Sequence, residues 1–259
     1  MGRYAQLVVG PAGAGKTTYC KEIADHMRTI KRHCKIVNLD PAADDPLPFN
    51  PDLLIADVRE LVRASEVCEE LGYGPNGALV YCMQYLAENI DWLSDTLDED
   101  NTEDQYLLID CPGQLELYSH IPVMRTICDH LKIQMGFNVV VVYLLDSHFV
   151  SDPAKFIGGA LAALSTMVRL ECPHVNVLSK VDLFNFSDAA KHRMRQRRLA
   201  DYGEDDVDEW GGSTTSKGQK EEMEDREELE QEKEDEIEHY CSVDAEFLVD
   251  RLDREFPGE

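Results

Sequence analysis

Residues 10–17 read Gly-Pro-Ala-Gly-Ala-Gly-Lys-Thr, and few strings of that length constrain a fold so tightly. They fit the phosphate-loop pattern G-x-x-x-x-G-K-[ST], which has to connect a buried strand to the first turn of a helix. The flanks supply both. Residues 5–9 are an apolar run, and behind the loop Tyr19, Ile23, Met27 and Ile30 recur at helical spacing, predicting one buried stripe. The glycines let backbone N–H groups approach α- and β-phosphates. Lys16 reaches the β- and γ-phosphates as a point charge, and the Thr17 hydroxyl is a ligand for Mg²⁺. Gly13, Ala14, Gly15, Lys16, Thr17 and Thr18 are therefore candidate nucleotide-binding residues, with Thr17 also a candidate metal ligand.

The rest of the first 182 residues alternates in the same way. Apolar runs at 35–39, 106–109, 139–145 and 175–178 read as buried strands. Leu117, Ile121, Met124, Cys128 and Leu131 mark one helix between them, and Ile157, Leu161, Leu164 and Val168 another. The expected class is α/β, a P-loop NTPase with a mostly parallel sheet flanked by helices. Each run ends in polar chemistry, at Asp40, Asp110, Asp146 and Ser179-Lys180, where such sheets bind ligands. Residues 57–98 interrupt the alternation with helical pattern and no strand. There Leu79, Met83, Leu86, Ile90, Leu93 and Leu97 form a heptad-like seam that fits either a helix packed on its own domain or a dimer face.

Asp110-Cys111-Pro112-Gly113-Gln114 follows a strand. An aspartate there holds Mg²⁺ directly or through water, the glycine N–H can sense a γ-phosphate, and Gln114 is placed to orient an attacking water. Ser179-Lys180-Val181-Asp182 follows the last strand. The Asp182 carboxylate can accept two hydrogen bonds from guanine, and adenine would leave it unpaired. Asp40 either holds water near a γ-phosphate or caps the following turn. Glu116 is open in the same way. Gly74-Pro75-Asn76-Gly77 reads as a turn that opens the seam helix, with Asn76 as its N-cap.

Charge limits the choice of ligand. With 51 acidic against 25 basic residues the net charge is −26, which disfavours nucleic acid. Residues 201–240 carry 18 acidic and 4 basic residues, so this window reads as a solvated single helix or disorder. No apolar run is long enough to span a membrane. The start lacks the charged and apolar regions of a secretory signal. The 8 cysteines have no Cys-x-x-Cys pair, the usage of a reducing compartment. The organisation expected is a nucleotide domain at 1–185 with an insertion at about 57–98, a charged segment at 186–240 and a short amphipathic helix at 241–259 carrying Leu248, Leu252 and Phe256.

Residues 10–18, Asn38-Leu39-Asp40-Pro41-Ala42-Ala43, Gly74-Pro75-Asn76-Gly77, residues 110–117 and residues 179–182 together resemble the GPN-loop GTPases. Residues 2–7, 57–61 and 161–165 look most like the type 3 subgroup, and residues 152–157 lean towards type 2. The resemblance spans residues 1 to about 185. It implies a Mg²⁺-dependent dimeric GTPase in which Gly74, Pro75 and Asn76 of one subunit reach the phosphate site of the other. It implies that Asp40, Asp110, Gln114, Glu116 and Asn76 form the hydrolytic set, with Thr17 and Asp110 on the metal. The seam then becomes part of the dimer contact. The resemblance also implies pairing with a type 1 relative, a role in assembly and nuclear import of RNA polymerase II, and a cytoplasmic location with shuttling to the nucleus. Two other readings remain. One is a binding-only scaffold, since no strand-like run follows Leu178 to brace a guanine; the other is a P-loop kinase, with residues 191–198 as its one basic cluster.

Overall fold

The computed structural model of the chain describes residues 2–98, 105–151 and 153–183. Six strands, β1 (Tyr4–Val9), β2 (Lys35–Asn38), β3 (Leu54–Asp57), β4 (Tyr106–Asp110), β5 (Asn138–Asp146) and β6 (His174–Ser179), form one sheet in the order β3-β2-β4-β1-β5-β6. Every pairing is parallel. The carboxyl ends of β1, β2 and β4 therefore lie side by side, with β4 between the other two. The helices are α1 (Lys16–Thr29), α2 (Ala64–Leu71), α3 (Pro75–Glu88), α4 (Asp91–Asp98), α5 (Glu116–Ser119), α6 (Val123–Asp129) and α7 (Pro153–Leu170). Two compact units divide the chain, the first holding residues 1–147 and 158–181 and the second 148–157 and 182–259. The segments expected at 186–240 and 241–259 lie outside the described residues.

Alternation along the strands builds a core on each face of the sheet. Ala5, Leu7 and Val9 of β1, Leu107 and Ile109 of β4, and Val139, Val141 and Tyr143 of β5 pack on one side. Val8, Leu108, Val142 and Leu144 pack on the other, against Cys20, Ala24 and Met27 of α1. Strands buried on both faces explain why their sequence reads as continuous apolar runs. The stripe on α1 is rotated from the expected one, with Cys20, Ala24 and Met27 buried and Ile30 half exposed.

The heptad-like seam packs mainly on its own chain, with Leu79 and Ile90 only partly buried. Met83, Leu86, Leu93 and Leu97 are wholly buried in the core of their own chain. No single helix carries the seam. Asn89 turns its side chain back to the Tyr85 carbonyl oxygen at 2.8 Å, ending α3, and α4 starts two residues later. Both helices still present their apolar side to the same core, so the spacing survives the break. Ala64 and Val67 of α2 meet Ala78 and Cys82 of α3 in a small satellite core.

Three other expectations are corrected. β3 adds a strand to the expected pattern; it follows a stretch with Pro46, Pro48 and Pro51 that reads as loop, and its pairing with β2 is irregular between Ile36 and Val37. The helix expected across 117–131 is broken before α6, where Pro122 cannot donate to a continuing ladder, although Leu117, Met124, Cys128 and Leu131 are all buried. On α7 the large residues face outward. Leu161, Leu164 and Val168 are exposed, while Gly159, Ala163, Thr166 and Leu170 are buried. The buried side carries mostly the smaller residues, so hydrophobicity alone picks the wrong stripe.

Leu93→Ala should destabilise the chain by about 2–5 kcal/mol, the cost of a cavity in a closed core. Urea unfolding at two protein concentrations checks this. The same loss is expected at both, whereas a dimer face would make the loss depend on concentration.

Candidate functional site

The phosphate loop leaves β1 tightly against the sheet and then opens. At Gly10, where φ is 142°, an added Cβ would run into the Leu144 carbonyl oxygen of β5, so only glycine fits. At Gly13 and Gly15 φ is 78° and 86°, and an added Cβ would meet nothing. Gly15 is the N-cap of α1, with no side-chain cap and no acidic residue in the first turn. The N–H groups of that turn are left to an external anion, and the helix dipole favours one.

Three charged groups converge here, from three strand ends. Lys16 is buried at the head of α1, its Nζ donating to the Pro11 carbonyl oxygen at 3.1 Å. Burial lowers its pKa, and the Asp110 and Asp40 carboxylates oppose that. Asp110 ends β4 and is 2% exposed. Burial pushes its carboxyl up to about 6, against a hydrogen bond from Thr17 and the charge of Lys16. Its Oδ1 is buried with no hydrogen-bond partner. Asp40 lies beyond β2 and accepts the Ala42 N–H at 2.9 Å, so the turn-capping role is realised. Burial raises its pKa while Ala42, Lys16 and Arg59 work the other way.

These residues fit a divalent cation bound together with phosphate. An orphaned buried carboxylate oxygen beside a threonine hydroxyl is a pair of hard oxygen donors, and Mg²⁺ fills its remaining positions with phosphate oxygens and water. Among the described residues no group of three or more His, Cys, Asp or Glu could hold a metal ion by itself. An ion at Thr17 and Asp110 would therefore depend on the nucleotide for its other ligands.

The turn after β4 packs on the phosphate loop. An added Cβ on Gly113 would come within 2.7 Å of Ala12 Cα. The Tyr118 hydroxyl, itself buried, holds this turn by donating to the Pro112 carbonyl oxygen. Gln114 follows, and its Nε2 donates to Asn76 Oδ1 at 2.7 Å. Asn76 is thus not the N-cap of α3. Gly74 is the N-cap and Pro75 takes the first helical position, where its missing N–H costs nothing. The Asn76 side chain, exposed and freed from capping, meets Gln114 of the same chain. Glu116 is exposed at the start of α5, two residues beyond.

Ser179 ties β6 to the phosphate loop, its Oγ lying 2.8 Å from the Ala14 carbonyl oxygen and 3.2 Å from that of Leu145. Lys180 pairs with Asp146 at 2.9 Å, and the Ser147 hydroxyl donates to the Lys180 carbonyl oxygen at 2.6 Å. Val181 follows, exposed. Asp182 is exposed too and belongs to the second unit. The sequence pointed to Asp146 only as a strand end and missed Ser147. It also gave no role to Asn38, Asp57 and Arg59, which hold the Asp40 loop. An Asn within the apolar run at 35–39 and an Asp two residues before an Arg were the visible signals.

A six-stranded parallel sheet with this loop, this carboxylate and this lysine defines a P-loop NTPase fold with a nucleotide site. A family model described as "Conserved hypothetical ATP binding protein" matches residues 8–246. GPN-loop GTPase 3 of Dictyostelium discoideum is 56% identical over 191 residues, 74% of this chain and 65% of that protein. GPN-loop GTPase 3 of Eremothecium gossypii is 50% identical over 196 residues, 76% of this chain and 70% of the relative. The Saccharomyces cerevisiae protein of the same name is 48% identical over the same shares. A crystal structure of a GTPase from Pyrococcus abyssi in its apo form matches with a TM-score of 0.59 and 32% identity, covering 79% of this chain and 75% of that one. The chain belongs to the GPN-loop GTPase family. It spans about two thirds of the length of these relatives.

The raised Asp110 pKa makes a stability prediction for the chain without nucleotide or Mg²⁺. Below about pH 4 the carboxyl is protonated in both folded and unfolded states. Between there and its folded value of about 6 the unfolded chain ionises first, so stability falls as pH rises and stays reduced above. Asp110→Asn should remove that loss and be more stable by about 1–3 kcal/mol near pH 7, with little difference near pH 4. Urea unfolding at the two pH values checks it.

Proposed function

We propose that the chain binds GTP with Mg²⁺ and hydrolyses it to GDP and phosphate. The observation that carries this reading is the convergence of Lys16, Thr17, Asp110 and Asp40 beside an open phosphate loop, with Gln114 on the turn that packs against it. The loop N–H groups and Lys16 would hold the β- and γ-phosphates, and Lys16 would offset charge that develops on the γ-phosphoryl oxygens. Mg²⁺, held by Thr17 and Asp110, would supply Lewis-acid neutralisation of the phosphate oxygens. Gln114 would orient a water for in-line attack on the γ-phosphorus, and the bond to the β–γ bridging oxygen would break. Asp40 and Glu116 would hold or accept protons from that water. Asp182, with two acceptor oxygens for guanine, favours GTP over ATP as the substrate. This differs from the family model's printed description, which names ATP.

The family relationship supports a dimeric switch, with a second copy or a type 1 relative as partner. It extends the proposal to assistance in RNA polymerase II assembly and nuclear import, from the cytoplasm. For Asn76 the contact with Gln114 of its own chain supports a second reading, action within one subunit. A mixing experiment separates the two. Asn76→Ala subunits are combined with Lys16→Ala subunits, which keep Asn76 but lack the phosphate lysine. Action across a dimer restores turnover in the mixture; action within one chain leaves it at the level of the separate variants.

Gln114→Leu should keep GTP affinity and slow phosphate release at least about tenfold, as expected when a water-orienting group is lost. Steady-state phosphate release with a parallel titration of GTP analogue checks both halves. Unchanged turnover would remove Gln114 from the role.

A further inference from the structure

Behind Asp40 lies a buried polar network that the family motifs leave without a function. Asn38, the last residue of β2, is wholly buried. Its Oδ1 accepts the Asp40 N–H at 3.0 Å, and its Nδ2 lies 3.3 Å from the Asp40 carbonyl oxygen, so one side chain holds both backbone polar groups of Asp40. The same Nδ2 donates to Asp57 Oδ1 at 2.9 Å. Asp57 ends β3.

Arg59 completes the arrangement. Its Nε lies 3.0 Å from each Asp57 oxygen and its Nη2 2.7 Å from Oδ2. Its Nη1 then reaches the loop beyond Asp40, at 3.2 Å from the Ala43 carbonyl oxygen, 3.3 Å from that of Asp44 and 2.6 Å from the Asp45 carboxylate. Arg63 adds an outer contact to Asp45 at 3.2 Å. Residues 40–45 are thus held near both ends from a single buried carboxylate.

Stability does not explain such a pair. Removing two charges from water costs about as much as their attraction returns, and apolar residues of similar volume often stabilise a fold equally well. Apolar residues could not fix three carbonyl oxygens and an N–H of a polar loop. Burial pushes the Asp57 carboxyl up, but Arg59 and Asn38 outweigh it and hold it below the usual carboxylate range. The Arg59 charge also reaches Asp40, opposing the rise that burial causes there.

We propose that Asn38, Asp57 and Arg59 are positioning residues for hydrolysis, acting through Asp40 by fixing its backbone and the loop that follows. The inference rests on the reading of Asp40 as a member of the hydrolytic set. A misplacement of about 1 Å in such a group costs up to about a hundredfold in rate. The relay therefore governs kcat more than binding, because the phosphate loop and Lys16 are untouched by it.

The test uses the full chain, with phosphate release from GTP and thermal unfolding measured together. Asn38→Ala cuts the link to Asp40 but leaves Asp57 paired with Arg59. Arg59→Lys keeps the charge but loses the fork that spans Asp57 and the loop carbonyls. Each should lower kcat at least about tenfold with KM for GTP changed less than about threefold. Asn38→Ala combined with Asp40→Ala should be no slower than Asp40→Ala alone, since both act at one point. Multiplied losses in the double variant, a loss in KM alone, or unfolding of both single variants would overturn the proposal. If Asp40→Ala itself hydrolyses GTP at the wild-type rate, the reading of Asp40 has failed, and the relay with it. If Asp40→Ala is slow but both relay variants are fast, the relay alone has failed.

Discussion

A lysine buried at the head of a helix, facing two carboxylates that burial also disfavours, is an arrangement no chain adopts for stability alone. Lys16, Asp110 and Asp40 each have their ionised form opposed by burial; the lysine charge favours both carboxylates and theirs favours the lysine, while Asp40 works against Asp110. The remaining imbalance is negative and centred on an Asp110 oxygen with no partner. A magnesium–phosphate group would supply what is missing, positive charge for the carboxylates and negative charge for the lysine and the helix N-terminus. The rest of the molecule can be understood as the apparatus that keeps those three groups in place without their ligand.

The parallel sheet provides the first part of that apparatus. It brings the ends of β1, β4 and β2 together, with one charged group at or beyond each, and buries both faces so that the strand ends cannot shift independently. The inserted helices supply the second. Met83, Leu86, Leu93 and Leu97 fasten α3 and α4 to the core, and α3 begins where Asn76 meets Gln114. A core contact at one end of α3 thus fixes the position of a polar contact at the other. The Asn38–Asp57–Arg59 network is the third part, holding the only one of the three carboxylate and lysine positions that sits on a loop.

Much of this was legible in the sequence because chemistry and periodicity coincided. The loop at 10–17, the strand-terminal Asp110 and the strands β1, β2, β4, β5 and β6 all stand where apolar runs meet polar residues. What escaped did so for physical reasons. Leu54–Asp57 follows the proline-rich stretch at 46–51, which reads as loop. Hydrophobicity puts Leu161, Leu164 and Val168 inside, but the buried side of α7 is the one with Ala163 and Thr166. The seam was correctly spaced and ambiguously assigned, because a heptad cannot say whether its partner is a sheet or a second copy. Asn76 was given a capping role that Gly74 and Pro75 fill, and the Gln114 contact joins residues too far apart in sequence for any local pattern to show it.

The most direct measurement is a calorimetric titration of the purified chain with a non-hydrolysable GTP analogue, with Mg²⁺ and again in EDTA. If the buried charges are arranged for a magnesium–phosphate ligand, binding should be micromolar with the ion and weaker by at least about tenfold without it. Equal affinity in the two buffers, or no binding in either, would contradict the account.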